Sequence, residues 1–104
     1  MSAALGLDVG TTNVKAVLVD PEGRPVGCTQ RALRTERNGS AVEQDATESW
    51  ARIVDAVAEL TAAHPDVAAA VGAIGVCSQY SSIVPVDGEA RPVAPMVMWG
   101  DHRG

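Results

Sequence analysis

Residues 3–20, AALGLDVGTTNVKAVLVD, decide the fold. Residues 3–9 are an apolar run that ends at Gly10. Residues 13–20 are a second run rich in β-branched side chains. Each has the length and composition of a strand. Only Gly10-Thr11-Thr12 separates them, and so short a connection closes two strands into an antiparallel hairpin. Glycine at the tip permits a backbone conformation that a residue with a Cβ would resist. A turn without bulk there lets N–H groups approach an anion closely, and the short polar side chains of Thr11, Thr12 and Asn13 can donate to the same oxygens.

Closure about Thr11 and Thr12 sets residue 9 opposite 14 and Asp8 opposite Lys15, on one face of the hairpin. A carboxylate and an ammonium then stand at the mouth of the turn. The carboxylate can hold Mg²⁺, directly or through water, and the ammonium can meet a terminal phosphate. The same residues also fit an ordinary polar hairpin with a surface ion pair, worth roughly 0–1 kcal/mol. The string is not a Walker A loop, because no Gly-Lys-Ser/Thr follows it. Nor is it a Rossmann fingerprint, because a strand rather than a helix comes next.

Outward from the hairpin, Pro21-Glu22-Gly23-Arg24-Pro25 reads as a turn. A third strand is expected over 26–35, at a sheet edge because of its arginines. Residues 36–40 read as a loop. Asp45 with Glu48 forms a capping pattern that starts a helix. Trp50, Ile53, Val54, Val57 and Leu60 give that helix an apolar face. His64-Pro65 ends it. Residues 71–77, VGAIGVC, read as a buried parallel strand. After the polar loop 78–82, short strands are expected over 83–86 and 95–99, with a turn at Asp87-Gly88. The order β-β-β-α-β, then further strands, points to an α/β fold with a mixed sheet and the helix on one face.

The chain has 104 residues, enough for one modest domain. Its composition is 46% hydrophobic and 20% charged, ordinary for a globular protein, but it has no Phe. A core built of Ala and Val gains less per residue than one of Leu and Phe. The net charge of -5 comes with no basic stripe, which argues against nucleic acid or an anionic membrane as partner. No signal peptide and no membrane span is read. The two cysteines, Cys28 and Cys77, have no metal-ligand spacing and read as free thiols of a reducing, cytoplasmic compartment.

The string LGLDVGTTNVKAVLVDPEGRPVG (residues 5–27) resembles the first phosphate-binding hairpin of the FGGY carbohydrate kinases, in the actin and hexokinase-like ATPase superfamily. The likeness continues in the same order through Val42-Glu43-Gln44-Asp45 and Trp50, through Gly75-Val76-Cys77-Ser78-Gln79, and through Met98-Trp99-Gly100-Asp101-His102-Arg103. It covers nearly the whole chain. It implies a ribonuclease H-like mixed β-sheet of the actin/hexokinase type, here incomplete. It also implies ATP-dependent transfer of a phosphoryl group to a sugar or polyol hydroxyl. By the same resemblance Asp8 faces Mg²⁺. Gly10, Thr11, Thr12, Asn13 and Lys15 face the ATP phosphates. Gln79, Tyr80, Ser81, Trp99, Asp101 and Arg103 lie at or near the sugar.

Tyr80-Ser81 departs from the family's known pairs, which are Arg-Glu in glycerol kinases and commonly Met-His in bacterial xylulokinases. The resemblance therefore assigns neither substrate. A tyrosine ring with its hydroxyl suits a pentose or hexose face, and also suits plain packing. Residues 1–104 correspond to the amino-terminal portion of a longer kinase. In the family the catalytic aspartate, the second phosphate loop and the adenosine pocket lie beyond this stretch, in part in a C-terminal domain. The chain alone is accordingly expected to be inactive, and to act with the remainder of the kinase or as a homo-oligomer. The alternative is a non-catalytic module that binds nucleotide or serves association.

Overall fold

The structure, a computed structural model, describes residues 1–103. The hairpin forms in the expected register. Strands β1 (Ala3–Val9) and β2 (Asn13–Val19) pair antiparallel, with Asp8 opposite Lys15 and Val9 opposite Val14. β3 (Pro25–Ala32) pairs antiparallel with β2 and stops short of residue 35. A second hairpin, β4 (Glu36–Asn38) and β5 (Ala41–Gln44), occupies the stretch 36–40 read as a loop together with the four residues that follow it. Its turn turns on Gly39, whose φ of 61° is cheap for glycine. Helix α1 (Ala46–Ala63) and the short α2 (Pro65–Ala69) lead to β6 (Val71–Ser78), which lies parallel to β1. β7 (Met96–Val97) ends the series. One sheet has the order β3-β2-β1-β6 and the other β4-β5-β7.

α1 starts where the capping pattern places it. The Asp45 carboxylate accepts from Thr47 N at 2.9 Å and Glu48 N at 3.1 Å. The buried face is rotated from the expected one: Ser49, Ala56 and Leu60 are buried, whereas Trp50 is 65% and Val54 46% exposed. The small residues explain the rotation. They let the helix backbone approach the sheet until Thr29 Oγ1 on β3 donates to the Ala56 carbonyl at 2.7 Å. Gly27 adds to this fit, because a Cβ there would stand 2.6 Å from the His64 ring and 2.9 Å from Leu60. Pro65 ends α1 as expected and also opens α2, since its fixed φ suits the first helical position.

The core contains Leu5, Ala16, Leu18, Ala56 and Leu60, with Leu7, Val26, Val57 and Val71 packed around it. Beyond Val71, its first residue, β6 does not join it. This apolar strand was expected to be buried, yet seven of its eight residues are exposed. It forms the edge of its sheet, and the residues after Val71 all lie exposed. Cys28 on β3 and Cys77 on β6 are free and exposed, at opposite edges. The strand expected over 83–86 reduces to two isolated bridges, Ile83 to Val97 and Val86 to Pro92. Among the described residues no helix is long and apolar enough to cross a membrane.

Candidate functional site: the Gly10–Asn13 turn and its surroundings

Every carbonyl from residue 9 to residue 13 has a donor. Gln79 N donates to Val9 O at 2.9 Å, Leu33 N to Thr12 O at 2.8 Å, and Gly10 N to Asn13 O at 3.0 Å. Gln44 Nε2 donates to Thr11 O at 2.7 Å, and Gln79 Nε2 makes a longer contact to Gly10 O at 3.4 Å. The amides are different. Among the described residues, neither Thr11 N–H nor Thr12 N–H has an acceptor. Among the described residues the side chains of Thr11, Thr12 and Asn13 are equally without hydrogen-bond partners.

The turn therefore has its acceptors engaged and two of its backbone donors free. That arrangement attracts an anion. It is open: Thr12 is exposed, and Gly10, Thr11 and Asn13 are half-buried. The role of Gly10 differs from the expected one. Its φ is not in the left-handed region; the constraint is proximity, since a Cβ on Gly10 would lie 2.9 Å from Asn13 O.

Asp8 and Lys15 both project from the exposed face beside this turn. Among the described residues neither forms an ion pair, so carboxylate and ammonium remain available. No group of three His, Cys, Asp or Glu side chains stands close enough among the described residues to hold a metal by itself. The donor set still fits Mg²⁺ delivered with a polyphosphate. That ion keeps several waters and takes one or two carboxylates plus phosphate oxygens.

β6 ends beside the turn, and this brings Gln79 to it. The Gln79 side chain also accepts from Ser82 Oγ at 2.8 Å, so it is held at both ends. Tyr80 is 83% exposed, and Ser81 adopts φ 52°, a conformation that non-glycine residues rarely take. Trp99 is 62% exposed. Neither ring is core.

Asp101 is different again. Its side chain is 2% exposed. It accepts from Val42 N at 2.7 Å, from Arg103 N at 3.0 Å and from the Arg103 guanidinium at 2.7 to 3.1 Å. Arg103 first, and then the Val42 N–H, hold its carboxyl far below the usual carboxylate range. Arg103 reaches on to Glu43 at 2.8 Å. Asp101 and Arg103 line an open depression with Glu43, Pro85 and Val97.

Among the described residues no direct bond joins the Trp99–Arg103 segment to the turn. Two paths connect them. One runs from Gln79 through Ser82 to the Ile83–Val97 bridge. The other runs from Thr11 O through Gln44 into β5, where Met98 N donates to Val42 O at 2.9 Å. Sequence reasoning missed Gln44, Glu43 and Ser82. A signal existed for Gln44: Val42 and Gln44 alternate on one strand face, so an inward Val42 implies an inward Gln44.

Comparison with known proteins gives a consistent picture. Residues 3–104 match the model of the N-terminal domain of the FGGY family of carbohydrate kinases. The chain is 32% identical to a glycerol kinase of Acinetobacter baylyi over 99% of its own length and 21% of that protein. It is 31% identical to a xylulose kinase of Streptomyces rubiginosus, again over 99% of the chain and 22% of the relative. A crystal structure described as a xyloylose kinase from Brucella ovis superposes with a TM-score of 0.90 at 35% identity, over 97% of this chain and 22% of the other. The chain thus spans about a fifth of the length of the curated relatives it matches. Its sheet and helix are those of the actin/hexokinase-like fold, as expected, in an incomplete domain.

Proposed function

Because the chain belongs to the FGGY family of carbohydrate kinases, we propose that it supplies the ATP-phosphate turn and part of the sugar site for phosphoryl transfer to a sugar or polyol hydroxyl. The observation that carries this reading is the turn itself. Thr11 N–H and Thr12 N–H are free while every neighbouring carbonyl is bound. Backbone donors fixed in this way stabilise phosphate oxygens without reorganising during transfer. The Thr11 and Thr12 hydroxyls and Asn13 add side-chain donors. Lys15 neutralises charge on the terminal phosphate. Asp8 would hold Mg²⁺ jointly with phosphate oxygens, and when bound the ion neutralises the phosphate charge.

For the sugar, Gln79, Tyr80, Ser81 and Trp99 offer amide, hydroxyl and ring surfaces, with Gln79 held beside the turn. Asp101 and Arg103 belong to that neighbourhood, with the carboxylate of Asp101 already committed to Val42 and Arg103. Asp101 therefore has no free lone pair with which to take a proton from an attacking hydroxyl, and no other residue of this chain is assigned as general base. Glycerol and xylulose kinases match about equally well, which leaves the substrate at the level of sugars and polyols.

Three measurements test the reading. Titration of the chain with Mg·ATP should move the backbone amide resonances of Thr11 and Thr12 first. A coupled ADP-release assay with pentoses, hexoses and polyols should show no turnover by these 104 residues alone, because phosphoryl transfer needs positioning and charge neutralisation from both sides of a cleft. Set into a full-length family kinase, Asp8→Ala or Thr12→Ala should lower turnover by orders of magnitude with the fold intact. Survival of activity in both would make the hairpin structural and end the proposal.

A further inference from the structure

Gln44 is 1% exposed, and its Oε1 has no donor among the described residues. A buried acceptor without a partner is a net cost to the fold. The cost cannot be relieved by turning the amide over. Nε2 faces Thr11 O at 2.7 Å and Thr35 Oγ1 at 3.0 Å, and a reversed amide would set two acceptors against each other at Thr11. A methionine or leucine would fill the same space without an orphan atom. The position thus retains a destabilising group for what its Nε2 does.

What it does follows from the planarity of the peptide unit. Thr11 C=O and Thr12 N–H belong to one peptide and point in opposite directions, since no cis peptide bond occurs among the described residues. Drawing Thr11 O inward toward β5 turns Thr12 N–H outward. Gln79 acts on the preceding peptide in the same sense. Its long contact to Gly10 O accompanies an outward Thr11 N–H. Of the two, the Gln44 bond is the shorter and comes from the more deeply buried side chain.

We propose that Gln44 is the positioning residue of this turn, orienting Thr12 N–H toward a bound phosphate from the second sheet. The proposal rests on the phosphate-binding reading above, and the following experiment separates the two. The wild-type chain and the variants Gln44→Met and Gln44→Glu are titrated with Mg·ATP and followed by backbone amide resonances. Wild type should respond at both Thr11 and Thr12. Gln44→Met should lose the Thr12 response and bind roughly fivefold to tenfold more weakly, while Thr11 still responds. Gln44→Glu, which sets an oxygen against Thr11 O, should lose at least as much. General loosening would instead move both amides together.

If wild type shows no response at either threonine, the phosphate reading fails and the proposal falls with it. If wild type responds and the folded variants respond just as strongly at Thr12, the phosphate reading stands and the role of Gln44 is refuted. A measurement on wild type covers the case in which the variants do not fold. The Gln44 carboxamide protons should exchange slowly with solvent and slow further with Mg·ATP. Exchange at the rate of a free glutamine would overturn the proposal.

Discussion

Gly10→Ala is the most direct perturbation of the site, because the structure dictates both its sign and its size. The added Cβ would lie 2.9 Å from Asn13 O, a backbone atom that cannot swing aside. Contact near 3.4 Å is the lower end of the ordinary range, so the turn must widen by about 0.5 Å. The same oxygen accepts the Gly10 N–H at 3.0 Å. Widening along that line takes the bond to about 3.5 Å, the limit of a useful hydrogen bond. The expected loss of stability is about 1 kcal/mol. The functional effect is larger, because Thr11 and Thr12 are carried with the turn. A half-ångström displacement of donors to a charged oxygen costs a good part of bonds worth about 1.5–3 kcal/mol each, or about a tenfold loss of nucleotide affinity. Urea unfolding followed by circular dichroism measures the first quantity, and Mg·ATP titration calorimetry the second. Undiminished affinity in a folded Gly10→Ala protein would refute the reasoning.

Other expected outcomes follow from single contacts. Asp45→Ala removes the acceptor for Thr47 N and Glu48 N and should cost about 1 kcal/mol in a thermal melt. Ala90 stands at φ 61°, in a loop where Asp87 accepts from Glu89 N and Arg91 N as Asp20 does from Glu22 N and Arg24 N. The place equivalent to Ala90 in the earlier loop is Gly23, at φ 85°. Ala90→Gly should therefore strengthen the later loop by about 0.5–1 kcal/mol, read as slower exchange of the Asp87 amide. Acid should weaken the fold in a defined direction. Backbone N–H bonds and then the arginine partner lower the carboxyls of Asp20 and Asp87, and Arg103 with the Val42 N–H lowers that of Asp101. Their contribution is complete above the unfolded value near pH ~3.9 and is lost as pH falls below it. A melting temperature that stays flat from pH 5 to pH 2 would contradict this.

The first hairpin was legible because its information is local. Two apolar runs, a glycine and a short gap set the register that the structure shows, down to Asp8 opposite Lys15. The α1 cap was legible for the same reason. What was not legible depends on partners distant in the chain. Trp50 and Val54 have the hydrophobicity of a core face, but Ser49 and Ala56 take it because close approach to β3 favours small residues over large ones. β6 has the composition of a central strand, and composition reports what a strand suits, not which neighbours are present. The second sheet joins residues nearly sixty positions apart, such as Val42 with Met98 and Asp101. The site residues followed the same division. The free amides sit in the local hairpin, whereas Gln44 could be found only by asking which way β5 faces.

The two sheets differ in more than length. In the first, strands of seven and eight residues lie against α1; in the second, strands of three, four and two residues are tied to it through a few bonds such as that of Gln44. Short strands with little apolar cover open at lower free energy than long packed ones. The molecule thus divides into a slow-opening unit that holds the phosphate turn and a fast-opening unit that holds Trp99 and Asp101. Any compound touching both would report itself by slowing amide exchange in the second unit more than in the first, without any change of shape.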